Sequence, residues 1–508
     1  MRVPYSELNK YIKVEDIDPK ELVERLNTHS VEATLDFFGN SNVEKVVVAQ
    51  ILKTEPHPTL KKLLVCEVDI GTQKVVICTN DKTVKEGDKV FAVLPGGRIG
   101  DLKIGERNFK GIVSKGMFLG LEELVGVSSE GVFKFHDPNV EPGTDVKKLL
   151  GLGEPIIELD ITPNRGDLLS VKGLAREIAA LYNRPISLPE APRLDIFGSD
   201  AEIEILDNDC GRYRGAVVRN VNVGESSLWL MVALWKFGEA VINNVVDITN
   251  YLLFTEGNPM HAFDLDKIEG KIYVRSAKEG ETFKALNGKE YKLSTEDLVI
   301  ADDKKVLALA GVIGGADSGV SEKTENILLE TAYFNPYRVR KSAKRHDIRT
   351  ESSYRFERNV DIENIERSQN LAVKLIRDLA GGEVSTVRDV YPNPYRPKEV
   401  SLSFRKLVEY TGGYIEPKKV FQILNSLGLP TEVEIEEESL KRAILKFLVQ
   451  KMGCEGFRLP YKEDKVDAYI ICDGKEIPVK FGDVENFEGI VINYTGKGEK
   501  IDIDIKGI

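Results

Sequence analysis

The stretch from Ile242 to Asp361 constrains this chain most. It interleaves polar side chains with glycines and strand-forming residues: Ile-Asn-Asn-Val-Val-Asp-Ile-Thr-Asn-Tyr (242–251), Asn-Pro-Met-His-Ala-Phe-Asp (258–264), Leu-Ala-Gly-Val-Ile-Gly-Gly (309–315), Leu-Leu-Glu-Thr-Ala-Tyr-Phe-Asn-Pro (328–336) and Arg-Thr-Glu-Ser-Ser-Tyr-Arg-Phe-Glu-Arg-Asn-Val-Asp (349–361). Polar groups set among strand formers and glycines suit a pocket whose walls are backbone and whose contacts are few and fixed. Glu330 follows the apolar run Ile327-Leu328-Leu329, which predicts a carboxylate at a strand end facing such a pocket.

At 508 residues the chain is too long for one ordinary core, and three or four domains are expected. No apolar run is long enough to span a bilayer, and the first residues, MRVPYSELNKYIKVED, lack an apolar signal core, so a cytoplasmic location and no membrane contact are expected. Cys66, Cys78, Cys210, Cys454 and Cys472 form no CxxC pair, and neither a zinc site nor a disulfide framework is expected.

The net charge of −12 argues against indiscriminate nucleic-acid binding, but the charge is segregated. Residues 44–115 hold 13 Lys/Arg against 9 Asp/Glu, and residues 338–358 hold 8 against 3, whereas five glutamates fall between Glu432 and Glu438. The two basic stretches are candidate RNA-facing surfaces, with solvated helix faces as the bland alternative.

Along the chain, a short helix is predicted over Pro19–Asn27. Residues 43–150 then read as β, with strands over Val46–Leu52, Leu64–Val68, Lys74–Cys78 and Val90–Leu94, the last ended by Pro95-Gly96-Gly97. Short strands between Gly, Pro and Asp turns suggest a small barrel. Glu55-Pro56-His57-Pro58 and Lys62-Leu63 fall in a loop of it. His57 reads as a structural loop residue, and Lys62 is the better RNA candidate. Helices are predicted over Leu168–Tyr182, from Asn335-Pro336 onward, Ile362–Ala380 with a stop at Gly381-Gly382, Pro417–Leu427 with Val420, Ile423, Leu424 and Leu427 inward, and Leu440–Met452. Pro392, Pro394 and Pro397 mark a linker.

The series between 242 and 361 resembles the editing module of the phenylalanyl-tRNA synthetase beta subunit family. The segments around His57 and Lys115-Gly116-Met117 resemble the oligonucleotide-binding barrel of tRNA-binding proteins. Glu158-Leu159-Asp160-Ile161-Thr162-Pro163-Asn164-Arg165 matches a motif of the same subunit, here read as a structural joint between domains. The resemblance covers about residues 1–430 and implies a multidomain α+β protein. Its parts would be a helical and extended segment, 1–38, packing with 151–198; an oligonucleotide-binding β-barrel, 39–150; a central mixed α/β editing module, 199–395; and a partial winged-helix-like domain, 396–438. A small α+β segment, 439–508, stays unplaced.

That family's module hydrolyses tyrosine wrongly attached to phenylalanine tRNA. The resemblance places His261, Thr249, Asn250, Gly314 and Gly315 at the hydrolytic centre, Glu330, Ser352 and Asn244 at the amino acid, and Lys62, Arg345 and Arg349 on the tRNA. A polar group built to receive a hydroxyl rejects the analogue lacking it by about 10⁴–10⁵-fold. Histidine orients water near neutral pH, and glycines let backbone amides approach an oxyanion. No metal or cofactor is implied. The family's arginine before the Asn-Asn motif is Ala240 here, and its alanine in the Thr-Glu-Ala-Ser stretch is Ser352. The catalytic-like domain that binds the alpha subunit and the anticodon-gripping domain are not found, so the chain is not expected to charge tRNA alone. The alternative expectation is a non-catalytic tRNA-binding or regulatory relative.

Overall fold

The computed structural model describes residues 1–195, 197–413, 415–431, 437–460, 465–481, 490–495 and 501–507. Two compact units divide the chain, Met1–Glu399 and Val400–Ile508.

In the first unit, residues 1–38 and 151–198 share a three-stranded sheet in which Pro155–Asp160 lies between Arg2–Pro4 and Glu32–Phe37. The helix over Pro19–His29 is capped by Asp18, whose carboxylate accepts from the amides of Lys20 and Glu21. The next helix starts at Val171 rather than Leu168, because Ser170 caps it by accepting from Gly173 N at 3.0 Å and a single 3₁₀ turn, Gly166–Leu168, precedes it. Arg165 bonds Asp167 and Glu177, the latter at 2.9 Å, and so holds the 3₁₀ turn against the helix that follows.

A seven-stranded antiparallel sheet occupies the basic N-terminal region. Its strand Lys89–Ile99 runs on through Pro95-Gly96-Gly97, where a break was expected. Register slips there: Glu44 pairs with Arg98 but Val46 with Val93, and the intervening residues bulge out opposite Lys45 at φ 53°. His57 is buried. Its Nε2 bonds Phe109 O at 2.8 Å, and its Nδ1 accepts from Thr59 N and Leu60 N, assignments that follow from the partners.

Two sheets build the central region. One is four-stranded, in the order Met260–Asp264, Asn326–Phe334, Cys210–Arg219, Glu383–Val390. The other is five-stranded, in the order Ile203–Ile205, Ile272–Ser276, Leu298–Ala301, Val306–Leu309, Ile313–Gly314. Alternation splits the four-stranded sheet between two cores. Ala216, Val218, Ile327 and Leu329 pack with the helices Val171–Tyr182, Leu228–Phe237, Asn244–Glu256 and Ile365–Ala380. Tyr213, Val217, Leu328 and Ala332 pack with the five-stranded sheet. Gln369 pins its helix to the first face, donating to Arg214 O at 2.8 Å and Leu329 O at 3.0 Å.

The side chain of Glu256 is 0% exposed. It accepts from Tyr11 Oη at 2.9 Å and lies 3.6 Å from Lys172 Nζ and 3.4 Å from Arg367 Nε.

In the second unit, the helices Phe404–Thr411, Pro417–Ser426 and Glu437–Met452 accompany a five-stranded sheet. Ile444, Leu445 and Leu448 pack on Ala468, Ile470 and Val479. Two expectations need correction. Ile423, expected inward, is 40% exposed, because the short helix turns that side away from the described core. Cys454 and Cys472 form a disulfide, where no disulfide framework was expected, since the turn after Met452 carries Cys454 beside the end of the strand Ala468–Cys472. Residues 432–436 of the acidic run lie outside the described residues. Among the described residues, no helix is long and apolar enough to cross a membrane.

Candidate functional site

A cavity of about 60 Å3 opens between the two central sheets, lined by His261, Gly314, Glu330 and Ser352 among others. His261 and Glu330 are register partners on the strands Met260–Asp264 and Asn326–Phe334. Opposite residues of an antiparallel pair hold their side chains on one face, so register alone brings these two groups together. Glu330 sits mid-strand and not at a strand end as expected. The polar residue takes its place in the inward alternation of Leu328 and Ala332. Among the described residues it forms no ion pair with an arginine.

The surroundings strip charge from both groups. Burial pushes the Glu330 carboxyl up to about 8 and the His261 imidazole down to about 4. At neutral pH the carboxyl is protonated, with one donor and one acceptor, and the imidazole is neutral. His261 Nε2 is buried without a hydrogen-bond partner among the described residues, and its ring lies edge-on to Phe263 at 4.5 Å between centroids. A Cβ on Gly314 would stand 2.4 Å from His261 Cε1 and 2.7 Å from Nε2, so the absence of a side chain there makes room for the ring.

The neighbouring glycine is occupied elsewhere. Gly315 N donates to Leu307 O at 2.8 Å, and a Cβ on it would meet that oxygen at 2.5 Å. Its amide therefore serves the sheet and does not point at a ligand, contrary to expectation. Ser352 reaches the cavity from the helix Glu351–Phe356, which is fixed by Thr350: its Oγ1 donates to Val312 O at 2.8 Å and accepts from Ser353 N.

Asn244, Thr249 and Asn250 do not join the cavity. They lie on the helix Asn244–Glu256, whose Val245, Ile248 and Leu252 belong to the core on the other face of the four-stranded sheet. Asn244 is spent on the loop before it, accepting from Gly224 N at 3.1 Å and donating to Asn222 O at 2.9 Å. Thr249 Oγ1 donates to Val246 O within its own helix.

The expected RNA contacts Lys62, Arg345 and Arg349 are all exposed. Arg345 is nonetheless held by carboxylates. It pairs with Glu296 and with buried Asp297, which also accepts from Ser342 Oγ and lies 2.8 Å from His346 Nε2.

The sequence reading passed over Met260, Ile300, Val312 and Phe356, which also line the cavity. They are apolar residues, and nothing local separates a cavity wall from a packed core. A larger cavity, about 480 Å3, touches Arg2, Glu158, Asp160, Glu239 and Glu351 but none of the expected site residues. Its lining is mostly acidic and would repel a phosphate. Among the described residues, no group of three or more His, Cys, Asp or Glu is placed to hold a metal ion.

A B3/4 domain matches residues 209–381, which hold the cavity, and a tRNA binding domain matches residues 46–145. The phenylalanine–tRNA ligase beta subunit of Aquifex aeolicus is 49% identical over 435 residues, covering 85% of this chain and 56% of that protein. The chain belongs to the phenylalanine–tRNA ligase beta subunit family. The Thermotoga maritima beta subunit is 41% identical over 82% of the chain and 53% of its own length, and that of Carboxydothermus hydrogenoformans 40% over 84% and 54%. The chain thus spans about half the length of the beta subunits it matches.

Proposed function

We propose that this chain binds tRNA through an oligonucleotide-binding barrel in its first third. We further propose that it hydrolyses a mischarged aminoacyl ester, tyrosine on phenylalanine tRNA, in the cavity between the central sheets. The observation that carries this reading is the pairing of His261 with Glu330 on one face, with the histidine ring seated against Gly314.

The division of labour follows from charge. A neutral carboxyl accepts a hydrogen bond from the phenol hydroxyl on its carbonyl oxygen and donates through its own O–H, so Glu330 satisfies a hydroxyl that phenylalanine lacks. His261, neutral and with a free Nε2, holds the attacking water. Water adds to the ester carbonyl carbon. The bond from that carbon to the ribose oxygen breaks, the ribose oxygen takes a proton, and free amino acid leaves. An ester is already activated, so orienting water in a dry cavity needs no strong base and no metal.

At about 60 Å3 the cavity is below the roughly 300–1,000 Å3 of common ligand sites, so an aryl ring enters only as the lining side chains part. That volume, together with Ser352 on the wall, favours a second reading, a tRNA-binding relative without hydrolytic activity. Incubation of the purified chain with Tyr-tRNA and Phe-tRNA, without ATP or metal, separates the two. Faster release of tyrosine than in buffer is expected. Release no faster than in buffer across a panel of charged tRNAs overturns the hydrolytic reading.

A further inference from the structure

The helix Pro336–Arg345 divides its cations between two sides. Arg338 and Arg345 turn to protein: Arg338 bonds Asp209 at 3.2 Å and Ser276 Oγ at 2.7 Å, and Arg345 joins Glu296 and Asp297. Tyr337, Arg340, Lys341 and Lys344 follow the i, i+3, i+4, i+7 spacing of a single helix face, and all four are exposed, Tyr337 by 66%. Among the described residues, none of these three cations pairs with a carboxylate, and the Lys341 ammonium rests 4.7 Å from the Tyr337 ring centre.

This face stands close to the cavity. On the helix's inner side Val339 packs over Gly311, where an added Cβ would come within 3.0 Å of Val339 Cγ2, and Gly311 lines the cavity. The outer stripe therefore lies about one helix diameter, roughly 10 Å, from the cavity wall. In a chain of net charge −12, three unpaired cations around a solvent-facing ring are a local reversal of sign. Cations that track a phosphate backbone beside an aromatic platform suit single-stranded nucleic acid, whose bases are free to stack. An acidic protein surface would match the charge and leave the ring without a role.

We propose that Tyr337, Arg340, Lys341 and Lys344 form the docking face for the single-stranded 3′ end of an RNA, the segment that delivers an esterified terminus to the cavity. This deepens the hydrolytic reading and rests on it for the ester. The docking itself is tested without catalysis.

The experiment is equilibrium binding of the whole chain to uncharged phenylalanine tRNA, intact and with its single-stranded 3′ end removed, across a salt series. The triple variant Arg340→Ala, Lys341→Ala, Lys344→Ala is expected to lower the salt slope for intact tRNA by about 2, at ~0.7 per single-strand phosphate contact. It is expected to leave binding of the truncated tRNA unchanged. Tyr337→Ala is expected to weaken intact tRNA at least about fivefold, and Tyr337→Phe, which keeps the stacking surface, is expected to retain affinity. Unchanged melting temperatures check that these exposed substitutions preserve the fold. A wild-type slope in the triple variant overturns the proposal. So does an equal loss for both RNAs, which places the contact on the duplex, or equally effective displacement by polyglutamate, which points to an acidic protein. A chain that binds in this way yet releases no amino acid ends the hydrolytic reading and leaves the docking face standing.

Discussion

His261 and Glu330 face one another as register partners on adjacent antiparallel strands, and burial discharges both. On the proposed reading, Glu330→Ala removes the group that would receive the substrate hydroxyl and leaves the proposed RNA contacts in place. Tyr-over-Phe selectivity is expected to fall by about 1–3 kcal/mol, the cost of a buried hydroxyl left unpaired, with tRNA affinity unchanged. Competing deacylation of Tyr-tRNA and Phe-tRNA measures it, and wild-type selectivity in the variant would make Glu330 structural.

The pair gives stability a characteristic pH dependence. Glu330 titrates near 8 when folded and near its ordinary 4.5 when unfolded, so between these values the folded state holds the extra proton and stability falls as pH rises. His261 titrates near 4 when folded and near 6.5 when unfolded, so the unfolded state holds the extra proton and stability rises with pH across that window. The two oppose each other up to pH 6.5, and above it only the Glu330 contribution remains. The melting temperature is expected to decline from pH 6.5 to 8 in the wild type. The decline is expected to flatten in Glu330→Gln, and equal slopes in the two proteins would count against a buried, protonated carboxyl.

Gly314→Ala puts a methyl 2.4 Å from His261 Cε1. The ring must turn away from the cavity, at a cost of about 1–3 kcal/mol for overpacking. Deacylation is expected to be lost with tRNA affinity retained. A variant with wild-type turnover would show that the ring's seat against Gly314 is dispensable.

Arg345→Ala is expected to lower stability by about 1–3 kcal/mol, because buried Asp297 loses a charged partner while keeping Ser342 and His346. The salt slope of tRNA binding is expected to stay at the wild-type value. Exposed Lys62 and Arg349 are expected to behave the opposite way: Lys62→Ala and Arg349→Ala reduce the slope with little change in melting temperature. Chemical denaturation and binding titrations on the same three proteins decide it.

What the sequence made legible was local. Asn335-Pro336 marks a helix start because its signal lies in adjacent residues, and Gly381 marks an end for the same reason, at φ 72°. Glu330 and His261 were found through motifs, whereas their pairing depends on register between distant segments, which no local pattern carries. The basic run 338–358 showed its charge but not its sides, because Arg345 meets acids contributed by Glu296 and Asp297 from another part of the chain. Asn244, Thr249 and Asn250 stand close to His261 in sequence, yet they lie on a helix whose Val245, Ile248 and Leu252 belong to the core on the opposite face of the sheet.

Glu256 shows how far the central sheets depend on their neighbours. Its carboxylate lies inside the region that holds the cavity, but two of the groups around it, Tyr11 and Lys172, come from outside that region. Transplanting residues 199–395 into another scaffold would carry the anion and Arg367 along and leave those two behind. A buried charge with part of its shell missing is costly, and Glu256 stands only three residues before Pro259 of the cavity wall. The stretch of chain that encloses the cavity is therefore smaller than the stretch that satisfies its own buried charges.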